Sequence, residues 1–147
     1  MAYRTVVVGT DGSATAEEAV RHAGRLAARS EARLVVVTAF EAADDELARE
    51  APVPDDLRWA LTDRSQAEEK ARKGKALAKE EGAADVVVQS VEGDPAGAVL
   101  DTARDFDADL IVVGSVGLTS SARFLLGSVA NDVGHHAPCD VLVVHTA

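Results

Sequence analysis

The chain is short of cationic, aromatic and sulfur-bearing side chains, and each shortage closes off a class of function. Lysine and arginine number 15 against 25 aspartates and glutamates, a formal net charge of −10 over 147 residues. Non-specific attraction to nucleic acid or to an anionic membrane depends on clustered cations, so neither is an expected partner. The single cysteine, Cys139, leaves no internal disulfide or cysteine-rich metal site, which agrees with a cytoplasmic location. It stands just before an apolar strand pattern and reads as a packed thiol. Aromatic residues are 3% of the chain against 47% hydrophobic overall, so the core must be built mainly from Ala and Val. No apolar run approaches the roughly 18 residues of a membrane span. The opening MAYRTVVVGTDGS enters a strand pattern without the long apolar stretch of a signal peptide. The length suits one domain, taken as residues 1–147.

What is present alternates. Short β-branched runs at Thr5–Val8, Leu34–Thr38, Asp85–Val91, Leu110–Val113 and Val141–Val144 read as buried strands. Between them, apolar residues recur at three- and four-residue steps. Ala16, Ala19, Val20, Ala23, Leu26 and Ala27 make one helical stripe, with Ser13 or Thr15 as its cap. Ala60, Ala67, Ala71, Gly74 and Ala78 make a second, longer one, in which Gly74 implies a close approach to the sheet and Trp59 an anchor near the start. Asp94-Pro95 is a cap followed by a proline suited to the first helical turn, and a last helix carries Val129 and Val133. The acidic segment from Glu41 to Asp55, with Pro52 and Pro54, reads as a loop. This order predicts an α/β domain with a doubly wound parallel sheet.

Ligands of such sheets bind beyond the carboxyl ends of the strands, where the strand order reverses. Two unusual loops sit at carboxyl ends. One is Gly9-Thr10-Asp11-Gly12-Ser13 after the first strand. The other opens at Gly114 after the fourth strand, passes Gly117, and reaches a helix start at Gly127-Ser128. A strand feeding a glycine loop that feeds a helix start brings backbone N–H groups to an anion. Asp11 either accepts hydrogen bonds from a sugar or base, or only satisfies backbone donors in its own turn. Gly127 and Ser128 either meet phosphate or form a routine helix start with Ser128 as cap. The P-loop pattern GxxxxGK[ST] and the GxGxxG fingerprint are both absent. His135 and His136 are adjacent on a helix and point apart, so no metal site is assigned, and no nucleophile–base pair has motif support.

These residues resemble the universal stress protein family. Gly114, Gly117, Gly127 and Ser128 match its Gly-x2-Gly-x9-Gly-[Ser/Thr] pattern, Val8 to Ser13 resemble its first-strand aspartate loop, and Cys139 to Val144 resemble its last strand. The resemblance implies a five-stranded parallel sheet in the order 3-2-1-4-5, a Rossmann-like sandwich of the adenine nucleotide alpha hydrolase type. It implies a bound adenine nucleotide. Gly9, Thr10 and Asp11 with Ala39 would frame ribose and adenine, Gly114, Val116 and Gly117 would line ribose and phosphate, and Gly127, Ser128 and Val129 would donate to phosphates. It implies a homodimer through the last strand, Val141 to Val144, whose apolar edge would otherwise invite aggregation.

Many ATP-binding members carry a basic residue or His where this chain has Val116, and the only cation in the stretch is Arg123. ATP would therefore rest on backbone donors and Arg123, with Mg2+ as a possible companion. A ligand of one phosphate charge is electrostatically easier. The sequence Gly-x-Val-Gly-Leu and the closing Val-His-Thr resemble an actinobacterial branch that binds cyclic AMP. The expected function is thus binding of ATP or cyclic AMP in stress response or signalling, without turnover. A slow ATPase or phosphotransfer enzyme is the alternative in a second class, and a ligand-free dimeric module is the third.

Overall fold

The computed structural model describes residues 3–41, 63–115 and 127–146. In chain order the elements are β1 (Thr5–Gly9), α1 (Ala14–Ser30), β2 (Arg33–Phe40), α2 (Asp63–Glu80), β3 (Asp85–Glu92), α3 (Pro95–Asp105), β4 (Leu110–Gly114), α4 (Ser128–His136) and β5 (Asp140–Val144). The strands form one sheet ordered β3-β2-β1-β4-β5, with every neighbouring pair parallel. The expected doubly wound architecture and strand order are therefore found. Trp59 and the segment from 42 to 62 lie outside the described residues, as does the start of the helical pattern at Ala60; the described part of that helix begins at Asp63.

Valine-rich strands covered on both faces explain the pattern of burial. On one face Val6, Val8, Leu34, Val36 and Val112 pack under α1 and α2. On the other, Val7, Val35, Val37, Ile111 and Val113 pack under α3 and α4. Successive strand residues alternate between the two layers, as a period of two requires.

Small residues set how closely the helices approach. A Cβ on Gly74 would lie 2.9 Å from a methyl of fully buried Val36, so α2 rests on β2 almost backbone to side chain. Gly24 also belongs to the buried stripe of α1, a position the apolar spacing did not mark. A Cβ there would lie 2.9 Å from the Ala78 Cα and 3.0 Å from its carbonyl oxygen. Arg25 and Arg21 of α1 flank this contact and bind Glu81 at 2.8 and 3.0 Å.

At the amino edge of the sheet, the Asp109 carboxylate accepts from the backbone N–H of Arg4 and of Thr5, each at 3.0 Å at the shorter contact. The Asp109 N–H in turn donates to the Thr5 carbonyl at 3.1 Å. This bracket ties the starts of β1 and β4 together, far from their carboxyl ends. Cys139 is half-buried, and burial pushes its thiol above the ordinary value, with Asp140 and Asp109 adding to the shift. That is the packed thiol expected from the sequence.

Candidate functional site

The chain order turns at β1. It runs outward through β2 and β3, then returns to place β4 on the other side of β1. The carboxyl ends of β1 and β4 thus flank a switch point, the place where such sheets hold ligands. A cavity of about 260 Å³ opens there. Its walls include Gly9, Thr10 and Asp11, Ala39 at the end of β2, Gly114 at the end of β4, and Gly127, Ser128 and Val129 at the start of α4. Eight residues singled out from the sequence are thus brought to one space. The other three, Val116, Gly117 and Arg123, lie outside the described residues.

The β1 loop is held rigidly. The Thr10 N–H donates to the Val37 carbonyl at 2.9 Å, and the Thr10 hydroxyl accepts from the Gly12 N–H at 3.1 Å. Gly12 has φ +82°, in the left-handed region where a side chain is strained. Asp11 Oδ1 accepts from the Ser13 N–H at 2.9 Å, the local turn role anticipated for it, while Oδ2 makes no hydrogen bond among the described residues. Ser13, not Thr15, caps α1 by accepting from the Ala16 N–H at 3.2 Å.

The Gly114 stretch is closed at its neck. The Gly127 N–H donates to the Ser115 carbonyl at 2.7 Å, the Ser115 N–H donates to the Val144 carbonyl at 2.8 Å, and the Ser115 hydroxyl accepts from the Thr146 N–H at 3.1 Å. Two details of the sequence reading need correction. The cap of α4 is Gly127, which has no side chain to offer, and Ser128 is the first helical residue. The Gly127 N–H is also occupied, so it does not face an anion here. The N–H groups left at the helix start are those of Ser128, Val129 and Ala130, because the first intrahelical bond runs from Asn131 to the Gly127 carbonyl. All three residues line the cavity.

Ala39 supplies backbone as well. Within a strand, the N–H and C=O of one residue point to the same side. Val37 faces β1, since its carbonyl receives the Thr10 N–H, and Phe40 faces the other way, receiving the Gly93 N–H at 2.8 Å. Ala39 therefore turns toward the β1 side, beyond the last β1–β2 register pair at Gly9 and Val37.

Lys70 was missed. Among the described residues it is the only cationic side chain lining this cavity, and it also borders an adjoining hollow of about 320 Å³ with Phe40, Gln66 and Pro95. Its stem lies over Gly12, with Cγ 3.1 Å from where a Cβ would stand. The available signal was its place one helical turn before Gly74, the residue that presses α2 onto β2. Among the described residues, no group of three or more His, Cys, Asp and Glu is placed to hold a metal ion. His135 and His136 are exposed, with their rings 6.4 Å apart.

Against known proteins, residues 2–145 match the universal stress protein family. The chain belongs to that family. It is 39% identical over 145 residues to universal stress protein Rv1636 of Mycobacterium tuberculosis, covering 99% of this chain and 98% of the relative. Among solved structures it resembles a universal stress protein in complex with cAMP, at 37% identity and a TM-score of 0.75, with 100% of both chains covered. It also resembles the Archaeoglobus fulgidus universal stress protein in complex with dAMP, at 25% identity and a TM-score of 0.67, covering 97% of this chain and 98% of that one. No helix among the described residues is long and apolar enough to cross a membrane.

Proposed function

We propose that this universal stress protein binds an adenine nucleotide in the switch-point cavity, with cyclic AMP as the preferred ligand, and acts in stress response or signalling by binding. One observation carries the reading. The free first-turn N–H groups of α4 and the Thr10–Asp11 loop open into the same cavity from opposite sides of the switch point. A helix start with three unpaired donors suits a phosphate, and the carboxylate of Asp11 suits sugar hydroxyls. The family relatives bound to cAMP and dAMP support the ligand class.

Charge favours cyclic AMP over ATP. A triphosphate carries about four negative charges at neutral pH, against one on a cyclic monophosphate, and the chain already holds a net −10. Lys70 is the one cation that the described cavity wall provides. Cyclic AMP therefore needs less compensation, whereas ATP would lean on Arg123 and Mg2+. No nucleophile–base pair has motif support in the sequence, which favours binding over hydrolysis. We place the protein in the cytoplasm as a single domain of residues 1–147 that pairs through β5. Among the described strands β5 is a sheet edge, paired with β4, and Val143 on it is 37% exposed. Side-by-side calorimetric titration with cyclic AMP and ATP, with phosphate release followed under Mg-ATP, tests the whole reading. Tighter cyclic AMP binding without sustained release is expected; no heat with either nucleotide, or steady turnover, would overturn it.

A further inference from the structure

Thr38 is the one buried side chain among the described residues whose polar atom has no partner. It is 3% exposed, and its hydroxyl makes no hydrogen bond. A buried, unsatisfied hydroxyl costs free energy, and native structures leave few of them without a reason. This one lines the switch-point cavity.

Its position in the sheet says which part of a ligand it meets. Thr38 follows Val36 by two residues and so shares its face, the layer covered by α1 and α2. Gly74 rests on Val36, and α2 runs back from the carboxyl edge of the sheet. One helical turn before Gly74 is a rise of about 6 Å, and two strand residues beyond Val36 are about 6.6 Å. Lys70 therefore stands above Thr38, and both reach the cavity. The free N–H groups of α4 belong to the opposite layer, beside β4. Two strand spacings, about 9.5 Å, separate β4 from β2 across β1. A nucleotide whose phosphate sits at α4 thus presents its base to the end of β2.

We propose that the Thr38 hydroxyl reads the base, hydrogen-bonding its polar edge beside the open backbone of Ala39. A hydroxyl both donates and accepts, so it can serve a ring nitrogen or an exocyclic amino group of a purine. The free protein leaves this group unsatisfied, and the bound base completes it. The inference rests on the nucleotide-binding reading above.

The test compares wild type, Thr38→Val and Thr38→Ser as full chains, by calorimetric titration with cyclic AMP and by thermal unfolding without ligand. Valine keeps the shape and removes the hydroxyl, so Thr38→Val should unfold no earlier than wild type while binding about 5- to 10-fold more weakly. Thr38→Ser should bind within about threefold of wild type, since it restores the hydroxyl. Binding by Thr38→Val within twofold of wild type would overturn this inference and leave the nucleotide site standing. Equal losses for Val and Ser would do the same, as would a clearly lower unfolding temperature for Thr38→Val. A wild-type protein that binds no cyclic AMP would remove the site and the inference together.

Discussion

Ser115 holds Gly127 at its backbone: the Gly127 N–H donates to the Ser115 carbonyl at 2.7 Å, so the two ends of the glycine-bearing stretch meet. The same serine engages the end of the chain through its side chain, which accepts from the Thr146 N–H, and Thr146 is fully buried. Ser115→Ala should therefore cost about 1–2 kcal/mol of stability, the range for leaving a buried donor without its acceptor. Urea unfolding measures it, and a loss below about 0.3 kcal/mol would show that water replaces the hydroxyl at no cost.

Gly24 and Ala78 bring α1 and α2 together at backbone: a Cβ on Gly24 would lie 2.9 Å from the Ala78 Cα. Alanine at position 24 gains roughly 1 kcal/mol in helix propensity but must push the α2 backbone away. Backbone does not yield as a flexible side-chain end does, so the clash should win, with a net destabilisation of about 1–2 kcal/mol. Thermal unfolding of Gly24→Ala decides the sign, and a stabilised variant would mean the helices separate freely.

Asp11 has a turn role that is visible and a ligand role that is proposed. Two substitutions separate them. Asp11→Asn keeps an oxygen for the Ser13 N–H, whereas Asp11→Ala removes it. If the carboxylate also accepts from sugar hydroxyls, both variants should weaken cyclic AMP, Ala by about 1–3 kcal/mol and Asn by less. Unchanged affinity in both, read by titration, would leave Asp11 with the turn alone.

Lys70 offers a charge test. It is exposed and forms no ion pair among the described residues, so its contribution should be small and sensitive to salt. Lys70→Gln is expected to weaken an anionic nucleotide by about 0.5–1 kcal/mol at low ionic strength, with most of the difference gone at high salt. Titration at two salt concentrations checks it. A salt-independent loss would mean the lysine acts through packing of its stem.

Acid should loosen the α1–α2 pair. Hydrogen bonds from Arg25 and then Arg21 hold the Glu81 carboxyl below its ordinary value, against a smaller opposing effect of burial. A carboxyl with a lowered folded-state value contributes stability that is fully present above its unfolded value. That stability is lost as the pH falls through the folded-state value. Stability should therefore drop below the ordinary carboxylate range, and Glu81→Gln should flatten that part of the curve. Identical pH profiles for variant and wild type would show the pair is too solvent-screened to matter.

Much of this was legible in the chain because it depends on local pattern. Valine runs separated by helical spacing led to the parallel sheet, and Gly74 within a helical stripe pointed to a close approach to the sheet. The strand-end loops at Thr10 and Gly114 identified one cavity from its two ends. Three features were not legible, for one physical reason: they depend on which element covers which. Lys70 reaches the cavity only because Gly74 sets the height of α2 on β2. Thr38 looked like any β-branched strand residue until the fold buried its hydroxyl without a partner at the cavity wall. Ser115 became a junction only when the chain end returned to it. The cap of α4 was misassigned by one residue because Gly-Ser satisfies the preferences for either position.

The Asp109 bracket separates two kinds of evolutionary freedom. It fastens β1 to β4 at the edge of the sheet remote from the cavity, through backbone donors that any residue at positions 4 and 5 would supply, proline excepted. Drift at the carboxyl edge, at Thr10, Thr38 or Ser128, therefore leaves this fastening untouched. Substitutions in the proposed site can thus be read for binding on a scaffold whose β1–β4 fastening is unchanged.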